Sequence, residues 1–302
     1  MESGIIPLYK QKGMTSHDCV VKIRKLFKTK KVGHTGTLDP DVEGVLPICI
    51  GRATKIAEYI TDLPKQYEAE ITLGYATTTE DASGDIIDKK QVMPCPDENN
   101  IKKTLQSFQG RQQQIPPLYS AVKVQGKKLY EYARAGLEVE RPVKDIEIYE
   151  LVFKGNTLVQ HEDTVSFRFI VTCSKGTYVR TLCTDIGRSL GFPAHMSELT
   201  RTRSGPFTCE EAIKLEEIEN RLQEGSGSSV IYPMAKGLAH LPRVEVDEQT
   251  KAKILNGRVL PADKQMKEKM FLFVSADELL AVYQQHPTKE GLIKPKTMLR
   301  TI

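Results

Sequence analysis

Two stretches in which apolar and polar side chains alternate constrain the fold of this chain more than any other feature of its sequence. In the first, apolar residues occupy one face and polar residues the other: Tyr67, Ala69, Ile71, Leu73 and Tyr75 against Glu68, Glu70 and Thr72. The second covers 164–172 and places Val165, Phe167, Phe169 and Val171 on one face. A period of two residues is typical of a β-strand with one buried face, and such strands form antiparallel or mixed sheets. The chain is therefore predicted to contain a sheet of this kind.

Helical patterns accompany these strands. Three helices are predicted from apolar residues at helical spacing: Val20, Ile23 and Phe27 in the first, Ile101, Leu105 and Phe108 in the second, and Val179, Leu182, Ile186 and Leu190 in the third. The first follows a Thr15-x-x-Asp18 capping box, and the other two end at Gly110 and Gly191. The predicted class is α+β, with helices flanking a mixed, largely antiparallel sheet.

The C-terminal part of the chain has a different pattern. Beyond Leu241, short strand-like segments at 244–246, 258–260, 271–274 and 280–283 are separated by turn residues, which indicates a small β-barrel of about 60 residues. The Gly- and Ser-rich stretch 224–229 is the most linker-like segment. Composition alone therefore places a domain boundary at that stretch.

Composition excludes several classes of protein. No apolar run approaches the ~20 residues that a membrane-spanning helix needs, and the first ten residues lack the pattern of a signal peptide. The six cysteines form no C-x-x-C pair, which argues against a zinc site and against a disulfide framework. We therefore expect a cytoplasmic protein with reduced thiols and no association with membranes.

The basic residues are concentrated at the two ends of the chain. Residues 1–60 carry 10 Lys and Arg against 6 Asp and Glu, and residues 241–302 carry 11 against 8. Six cations fall within ten residues: Lys22, Arg24, Lys25, Lys28, Lys30 and Lys31. This density suits contacts with the phosphates of a nucleic acid, although a solvated helix face is the alternative.

A second basic region is interleaved with aromatic residues. The segment 111–136 contains five cations and three tyrosines: Arg111, Lys123, Lys127, Lys128 and Arg134 with Tyr119, Tyr130 and Tyr132. Its proline pair and glycines predict irregular backbone. The combination favours a mobile element that closes on RNA. A surface excursion anchored to the core by its tyrosines is the alternative.

The densest group of motif residues begins at Gly33 with the sequence GHTGTLDP. Its two glycines permit a tight turn, and Pro40 disfavours a helical conformation for Asp39, so the Asp39 carboxylate is predicted to lie on a loop. Taken alone, an Asp-Pro pair is an ordinary turn signal. Its neighbours, however, extend the motif to GVLP and GRATK at 44–55.

This extended run resembles the signature of the TruB family, the tRNA pseudouridine-55 synthases. Three further segments resemble the family in the same order, namely KQY at 65–67, PPLYSAVK at 116–123 and CSKGTYVRTL at 173–182. The C-terminal region more weakly resembles a PUA domain. The resemblance implies a pseudouridine synthase catalytic domain over 1–241 and a PUA-like RNA-binding domain over 242–302. It therefore moves the expected boundary away from the Gly- and Ser-rich stretch.

The resemblance also implies the reaction and the residues that perform it. A uridine in the T loop of tRNA, at position 55, is flipped out of its stack and isomerised to pseudouridine without cofactor or metal. Asp39 is the implied nucleophile and Arg180 its cationic partner. Tyr67 stacks on the uracil and assists removal of the C5 proton. Leu199 forms an apolar wall, and His34 fills the vacated space.

Without the resemblance these residues have ordinary interpretations. The helical pattern predicts that Arg180 is a surface arginine. Tyr67 and Leu199 are then interpreted as core residues, and His34 as a polar loop residue. The six cations at 22–31 and Lys123 are predicted to contact the RNA backbone. Whether Asp39 attacks C1′, adds to C6 or supports elimination through a glycal stays open.

Other functions compete with a stand-alone enzyme acting on the T arm of tRNA. One is a guide-RNA-dependent relative that modifies ribosomal RNA, and the absence of long basic extensions weighs against it. Another is a non-catalytic RNA chaperone that uses the same surface. A zinc or redox enzyme fails on cysteine spacing. We expect neither a guide RNA nor an obligate protein partner.

Overall fold

The computed structural model describes residues 3–263, 266 and 268–300. The strands of the first 241 residues are β1 (Gly4–Lys10), β2 (Val32–His34), β3 (Glu43–Ile50), β4 (Lys65–Leu73), β5 (Tyr75–Thr77), β6 (Ile86–Lys89), β7 (Gly110–Gln114), β8 (Lys123–Val124), β9 (Lys127–Lys128), β10 (Lys144–Phe153), β11 (Val159–Gln160), β12 (Val165–Cys173), β13 (Ala194–Ser204) and β14 (Phe207–Thr208). The helices of this part are α1 (Ser16–Leu26), α2 (Ala57–Thr61), α3 (Glu98–Ser107), α4 (Leu129–Arg134), α5 (Val179–Ser189), α6 (Leu215–Gln223) and α7 (Met234–Gly237), with 3₁₀ turns at Gly51–Ile56, Cys209–Glu211 and Gly227–Val230.

One large sheet forms the centre of the molecule, with the strand order β1-β3-β13-β4-β12-β10-β7. Along this path only β3 and β13 run parallel, and the other neighbours are antiparallel. The two alternating stretches of the sequence are the neighbouring strands β4 and β12, with Ala69 opposite Phe169. The predicted mixed, largely antiparallel sheet is thus confirmed.

The first alternating strand ends earlier than its pattern suggests. Strand β4 stops at Leu73, and Tyr75 already belongs to β5. Gly74 has φ +120°, and a side chain there would lie 2.9 Å from the Asp163 carbonyl oxygen. The chain therefore turns at Gly74, which the alternation could not show.

The two faces of the large sheet differ in their surroundings, in agreement with the polarity of their side chains. The apolar face packs against the buried sides of α1, α3 and α5 in one core. On the polar face, Arg168 of β12 pairs with two carboxylates of β4 and one of β13, at 3.4 Å from Glu68, 2.9 Å from Glu70 and 2.7 Å from Glu198. Helix α1 begins at the predicted capping box, where the Asp18 N–H donates to Thr15 Oγ1 at 3.1 Å.

The C-terminal region forms a second, smaller sheet. Its elements are β15 (Arg243–Glu245), α8 (Glu248–Leu255), β16 (Leu260–Pro261), β17 (Met270–Ser275), β18 (Glu278–Gln285) and β19 (Leu292–Met298). The strand order is β15-β17-β18-β19-β16, and the two outer strands are not paired with each other in the described residues. The region is therefore a curled, half-barrel sheet of five strands, which agrees with the small β-barrel predicted from the sequence only in part.

The small sheet shares a core with the rest of the chain. Its Leu272, Val282 and Leu299 belong to the same buried cluster as Ile56 and Tyr59. Tyr59 Oη also lies 2.6 Å from Thr297 Oγ1, and Lys55 Nζ donates to the Met298 carbonyl oxygen at 2.9 Å. Cutting the chain after Leu241 would therefore expose apolar surface on the larger part.

Two expectations about irregular segments need correction. The segment 111–136 contains regular structure, namely most of β7, the β8–β9 hairpin and α4. Its tyrosines contact their own segment: Tyr130 lies under Lys128 and Arg134, each 5.4 Å from the ring centre. The Gly- and Ser-rich stretch is no domain boundary, because Val230, at the end of its 3₁₀ turn, is buried in the main core.

Among the described residues, no helix combines the length and the apolar character needed to cross a membrane.

Candidate active site

The Asp39 loop joins β2 to β3 and is fixed by buried polar side chains. Ser16 Oγ, at the start of α1, donates to the Leu38 carbonyl oxygen at 3.1 Å and accepts from the Leu38 N–H at 2.9 Å. Lys10 Nζ donates to the carbonyl oxygens of Pro40 at 3.0 Å and Val42 at 2.6 Å. Both neighbours of Asp39 in the chain are thereby held. The loop position predicted for this carboxylate is confirmed.

Arg180 meets the Asp39 carboxylate directly. Arg180 Nη2 lies 3.0 Å from Asp39 Oδ2. The guanidinium is buried, with 7% of the side chain exposed, whereas the Asp39 side chain is 47% exposed. The implied pairing of Asp39 with Arg180 is thus present in the structure, and the arginine is its buried member. Arg180 follows Val179, the first residue of α5, and the guanidinium points away from the solvent that its helical position suggested.

Two carbonyl oxygens and a second carboxylate complete the surroundings of Arg180. Nη1 donates to the Thr79 carbonyl oxygen and Nη2 to the Tyr119 carbonyl oxygen, both at 3.0 Å. Asp81 Oδ2 lies 3.6 Å from Nη1. The other oxygen of Asp81 accepts from Thr79 Oγ1 at 2.7 Å and from Ser83 Oγ at 2.6 Å. The buried guanidinium therefore faces two carboxylates.

Sequence reasoning missed Asp81. It lies in the turn between β5 and β6, where Thr, Asp, Ser and Gly residues read as an ordinary loop. Asp81 and Arg180 are 99 positions apart in the chain, so no local sequence pattern could indicate that their side chains meet.

A cavity of about 240 Å³ opens beside the Asp39–Arg180 pair. Its walls include Asp39, Tyr67, Arg180 and Leu199, so the structure brings together four of the five residues assigned to the site. This volume is somewhat below the range for drug-sized ligand sites, about 300–1,000 Å³. Tyr67 on β4 and Leu199 on β13 reach the cavity from the centre of the sheet.

His34 lies apart from this cavity. It is half-buried at the end of β2, and its Nδ1 accepts from the Gly36 N–H at 3.3 Å. Burial, with smaller contributions from Arg201 and His17, lowers the pKa of His34. The imidazole is therefore neutral at neutral pH, beside the loop that carries Asp39.

Arg201 is a buried cation that the sequence did not reveal. It is 1% exposed and lies opposite Tyr67 in the β13–β4 register. Its Nε donates to the Val45 carbonyl oxygen at 2.8 Å and its Nη2 to the Gly36 carbonyl oxygen at 3.1 Å. Burial raises the pKa of Tyr67 and the Arg201 guanidinium opposes this rise. The net effect keeps the Tyr67 phenol protonated at neutral pH.

Lys65 is a second buried cation in the cavity wall. Its Nζ donates to three carbonyl oxygens at the end of α2, those of Ile60, Thr61 and Leu63. Burial lowers the pKa of Lys65 to about 8.

The low pKa of Lys65 predicts that stability depends on pH. From about pH 8 to pH 10.5 the unfolded chain binds a proton at this site that the folded chain has lost, so stability rises with pH across this window. The full effect is at most about 3 kcal/mol. Urea unfolding at several pH values, compared with Lys65→Met, measures it. A variant with the same pH dependence as the native chain would contradict the prediction.

The cations assigned to RNA contacts are all on the surface. Lys22, Arg24, Lys25, Lys28, Lys30, Lys31 and Lys123 are each exposed. In the part of the chain that the structure describes, none of the seven forms an ion pair with a carboxylate. Six of them lie on α1 and in the short connection from α1 to β2. They therefore present positive charge that no carboxylate of the described residues neutralises.

The described residues contain no group of His, Cys, Asp and Glu side chains arranged to hold a metal ion. The site contains the half-exposed Asp39 carboxylate on a fixed loop and the buried Arg180 guanidinium beside it. Its wall includes the aromatic side chain of Tyr67 and the aliphatic side chain of Leu199.

Comparison with known families gives two matches that together span most of the chain. Residues 24–179 match the model of the TruB family pseudouridylate synthase, N-terminal domain. Residues 180–267 match the model of the tRNA pseudouridylate synthase B C-terminal domain.

Curated relatives match nearly the whole chain. A tRNA pseudouridine synthase B of Halalkalibacterium halodurans is 52% identical over 297 residues, which is 98% of this chain and 97% of the relative. One of Bacillus subtilis is 52% identical over 304 residues, covering 99% and 98%.

Solved structures show the same architecture. A chain of a Cbf5-Nop10-Gar1 complex superposes with a TM-score of 0.75 at 29% identity, covering 99% of this chain and 85% of that one. A chain of an H/ACA RNP bound to a substrate RNA containing 2′-deoxyuridine gives a TM-score of 0.71 at 26% identity, covering 98% and 85%.

Proposed function

Because this chain belongs to the TruB family of pseudouridylate synthases, it is an isomerase that converts uridine in tRNA to pseudouridine, and we propose that its target is uridine 55 of the T loop. The observation that supports the assignment of the site is the Asp39–Arg180 pair at the wall of the cavity. The reaction breaks the N1–C1′ bond, rotates the uracil and forms a C5–C1′ bond. C5 loses its proton and N1 gains one, so no oxidant and no water is consumed.

Asp39 supplies the negative charge that this reaction needs. Breaking a glycosidic bond develops positive charge on the sugar, which a nearby carboxylate stabilises or attacks. Arg180 forms an ion pair with Asp39 Oδ2 and thereby holds the carboxylate at the wall of the cavity. The exposed remainder of Asp39 is free to meet the substrate.

Tyr67 and Leu199 suit the base. The apolar wall of Leu199 and the ring of Tyr67 offer surfaces on which a planar uracil stacks. The raised pKa of Tyr67 keeps its phenol neutral, which makes it a weak base. The structure therefore supports stacking by Tyr67 better than removal of the C5 proton.

A uridine in a folded T loop reaches this cavity only after it leaves its stack. We propose that His34 faces the RNA from which the uridine departs, since it lies on the strand that leads into the Asp39 loop and outside the cavity lining. A neutral imidazole stacks on neighbouring bases without the desolvation that a charged ring would suffer.

The RNA backbone is proposed to lie across the basic surface of 22–31 and Lys123. Residues 242–302 are proposed as a PUA-like RNA-binding domain that packs against the larger part of the chain, with its excess of basic residues directed to the same tRNA. The segment 111–136 is proposed to close over the bound RNA. Its cation–aromatic pairs provide surfaces for both phosphates and bases.

Neutralising part of the basic surface should weaken tRNA binding without changing the chemistry. Replacing Lys25, Lys30 and Lys31 with glutamine should reduce the slope of log affinity against log salt by about 2–3, because fewer counterions are released. We expect kcat on saturating tRNA to stay unchanged. Lys102→Gln with Lys103→Gln on α3, at the far end of the sheet, is the control, and an equal loss of slope there would contradict the prediction.

The function itself is tested with unmodified tRNA transcript. The purified protein alone should form one pseudouridine in the T loop, which primer extension after carbodiimide treatment locates. Activity that requires an added guide RNA would instead support the guide-dependent alternative. RNA binding without any pseudouridine would support the chaperone alternative.

A further inference from the structure

Ser120 is a buried serine in the cavity wall whose hydroxyl makes no fully formed hydrogen bond to any of the described residues. The residue is 5% exposed and belongs to the lining beside Asp39 and Arg180. In the described residues, Ser120 Oγ neither donates nor accepts a hydrogen bond. A buried hydroxyl left in this state is unfavourable, so an unpaired one in a binding cavity suggests that a ligand supplies the missing partner.

The backbone of Ser120 is fixed on both sides. The Tyr119 carbonyl oxygen accepts from Arg180 Nη2 at 3.0 Å, and the Ser120 carbonyl oxygen accepts from the Tyr130 N–H at 3.1 Å. The Ser120 N–H donates to the Leu118 carbonyl oxygen at 3.0 Å. Because the main chain is held in place, the side chain can move only by rotation about the Cα–Cβ bond. This rotation changes the direction in which the hydroxyl points at the cavity wall.

The position of Ser120 relative to the Asp39–Arg180 pair indicates which part of the substrate its hydroxyl contacts. Arg180 Nη2 lies 3.0 Å from both the Tyr119 carbonyl oxygen and Asp39 Oδ2, so Ser120 follows directly on the residue that shares this nitrogen with the carboxylate. Tyr67 and Leu199 lie on the central strands β4 and β13, and under the proposed function they contact the uracil base. Under the proposed function Asp39 acts at C1′ of the ribose, and the carbon next to C1′ carries the 2′-hydroxyl.

We propose that Ser120 Oγ hydrogen-bonds to the ribose 2′-hydroxyl of the flipped uridine. This inference rests on the proposed function, because it takes the sugar to lie against Asp39. A serine hydroxyl both donates and accepts, as the 2′-hydroxyl does, so the pair satisfies each other in either direction. The 2′-hydroxyl is also the group that distinguishes RNA from DNA, so Ser120 becomes a residue that selects RNA.

One neighbouring side chain competes for Ser120. Burial raises the pKa of Tyr178, and hydrogen bonding with the Ser120 side chain opposes this rise. In the described residues the contact between the two hydroxyls falls short of full hydrogen-bond geometry, so Tyr178 is an alternative partner that Ser120 would have to leave. Any test must therefore separate a contact with the substrate from an effect that passes through Tyr178.

The experiment crosses two proteins with two RNAs. Wild type and Ser120→Ala are each assayed, by equilibrium binding and single-turnover rate, on a T-arm stem–loop with uridine or 2′-deoxyuridine at the target position. On the uridine RNA the variant should lose about fivefold in rate divided by Kd, the usual effect of one neutral hydrogen bond. On the deoxyuridine RNA it should lose nothing further. The effect of deoxyuridine on sugar conformation cancels in the comparison.

Three controls make the result specific. Ser204→Ala removes another buried, unpaired serine hydroxyl that lies outside the cavity lining, and it should match wild type on both RNAs. Ser120→Cys replaces the hydroxyl with a slightly larger thiol that forms weaker hydrogen bonds, and it should fall between serine and alanine on the uridine RNA. The thermal midpoint of Ser120→Ala should fall little, because in the described residues the removed hydroxyl makes no fully formed hydrogen bond.

Several outcomes would overturn the proposal. Equal losses on the two RNAs would show that Ser120 contacts a different atom, and no loss on either would show that it contacts nothing. Loss of the Ser120→Ala effect in a Tyr178→Phe background would show that Ser120 acts through Tyr178. A wild type that forms no pseudouridine in any RNA would defeat the proposed function instead, and the binding measurements would still report on the Ser120 contact.

Discussion

Replacing Asp39 with asparagine is expected to reduce pseudouridine formation by at least ~10⁴-fold, as removal of a nucleophile commonly does. The amide keeps the shape of the side chain and an oxygen that accepts from Arg180. It loses the negative charge that the developing positive charge on the sugar requires. Arg180 retains its second carboxylate, Asp81, so the buried guanidinium is not left without an anion.

The expected signature is loss of turnover with binding preserved. The Kd of Asp39→Asn for tRNA should stay within about tenfold of wild type, or ~1.4 kcal/mol. Release of tritium from [5-³H]uridine in tRNA measures turnover, and filter binding measures affinity. Substantial residual tritium release would remove Asp39 from the role of nucleophile. A matched substitution, Asp41→Asn in the same loop, should leave turnover nearly unchanged.

The central strands could be predicted because each has one apolar and one polar face. The same reasoning missed β3, whose sequence from Val45 to Ile50 is almost entirely apolar. The structure gives the reason: Val45 and Cys49 belong to the core shared with the small sheet, whereas Leu46 and Ile48 belong to the main core. A strand buried on both faces has no polar face, so its period of two residues disappears from the sequence.

The site was predicted in part for a similar reason. The Asp39 loop carries its own local signals, the glycines and the proline, and these suffice to locate it in the sequence. The sequence around Lys10 and around Arg201 contains no local signal of burial, since each of these cations is next to other polar residues. Their burial depends on carbonyl oxygens of the Asp39 loop and β3, which only the folded chain brings to them. Resemblance to a family located Arg180 but did not indicate that the arginine is the buried partner.

Replacing Arg180 with lysine is expected to lower kcat by about 10²–10³-fold although the positive charge is kept. The planar guanidinium reaches four oxygens from two nitrogens: Asp39 Oδ2, the Tyr119 carbonyl oxygen, the Thr79 carbonyl oxygen and Asp81 Oδ2. A lysine has a single nitrogen and cannot span this set. Buried carbonyl oxygens without a donor should also lower the free energy of unfolding by about 1–3 kcal/mol.

The matched control is Arg168→Lys on the polar face of the sheet. Arg168 also faces several carboxylates, but its side chain is 36% exposed and it lies outside the cavity lining. We expect that substitution to change stability by less than about 1 kcal/mol and to leave kcat unaltered. The contrast between the two variants separates loss of a charged contact from loss of the geometry that aims Asp39.

Steady-state kinetics then distinguish two roles for Arg180. If it orients Asp39, Arg180→Lys lowers kcat while KM changes little, because the misplaced carboxylate is felt in the transition state and not in tRNA binding. If it instead binds the phosphate or sugar of the flipped uridine, KM rises with kcat. The buried position of the guanidinium, with its nitrogens already bonded to Asp39 and to two carbonyl oxygens, favours the first result. Wild-type kcat in a folded Arg180→Lys variant would show that another group holds Asp39 in place.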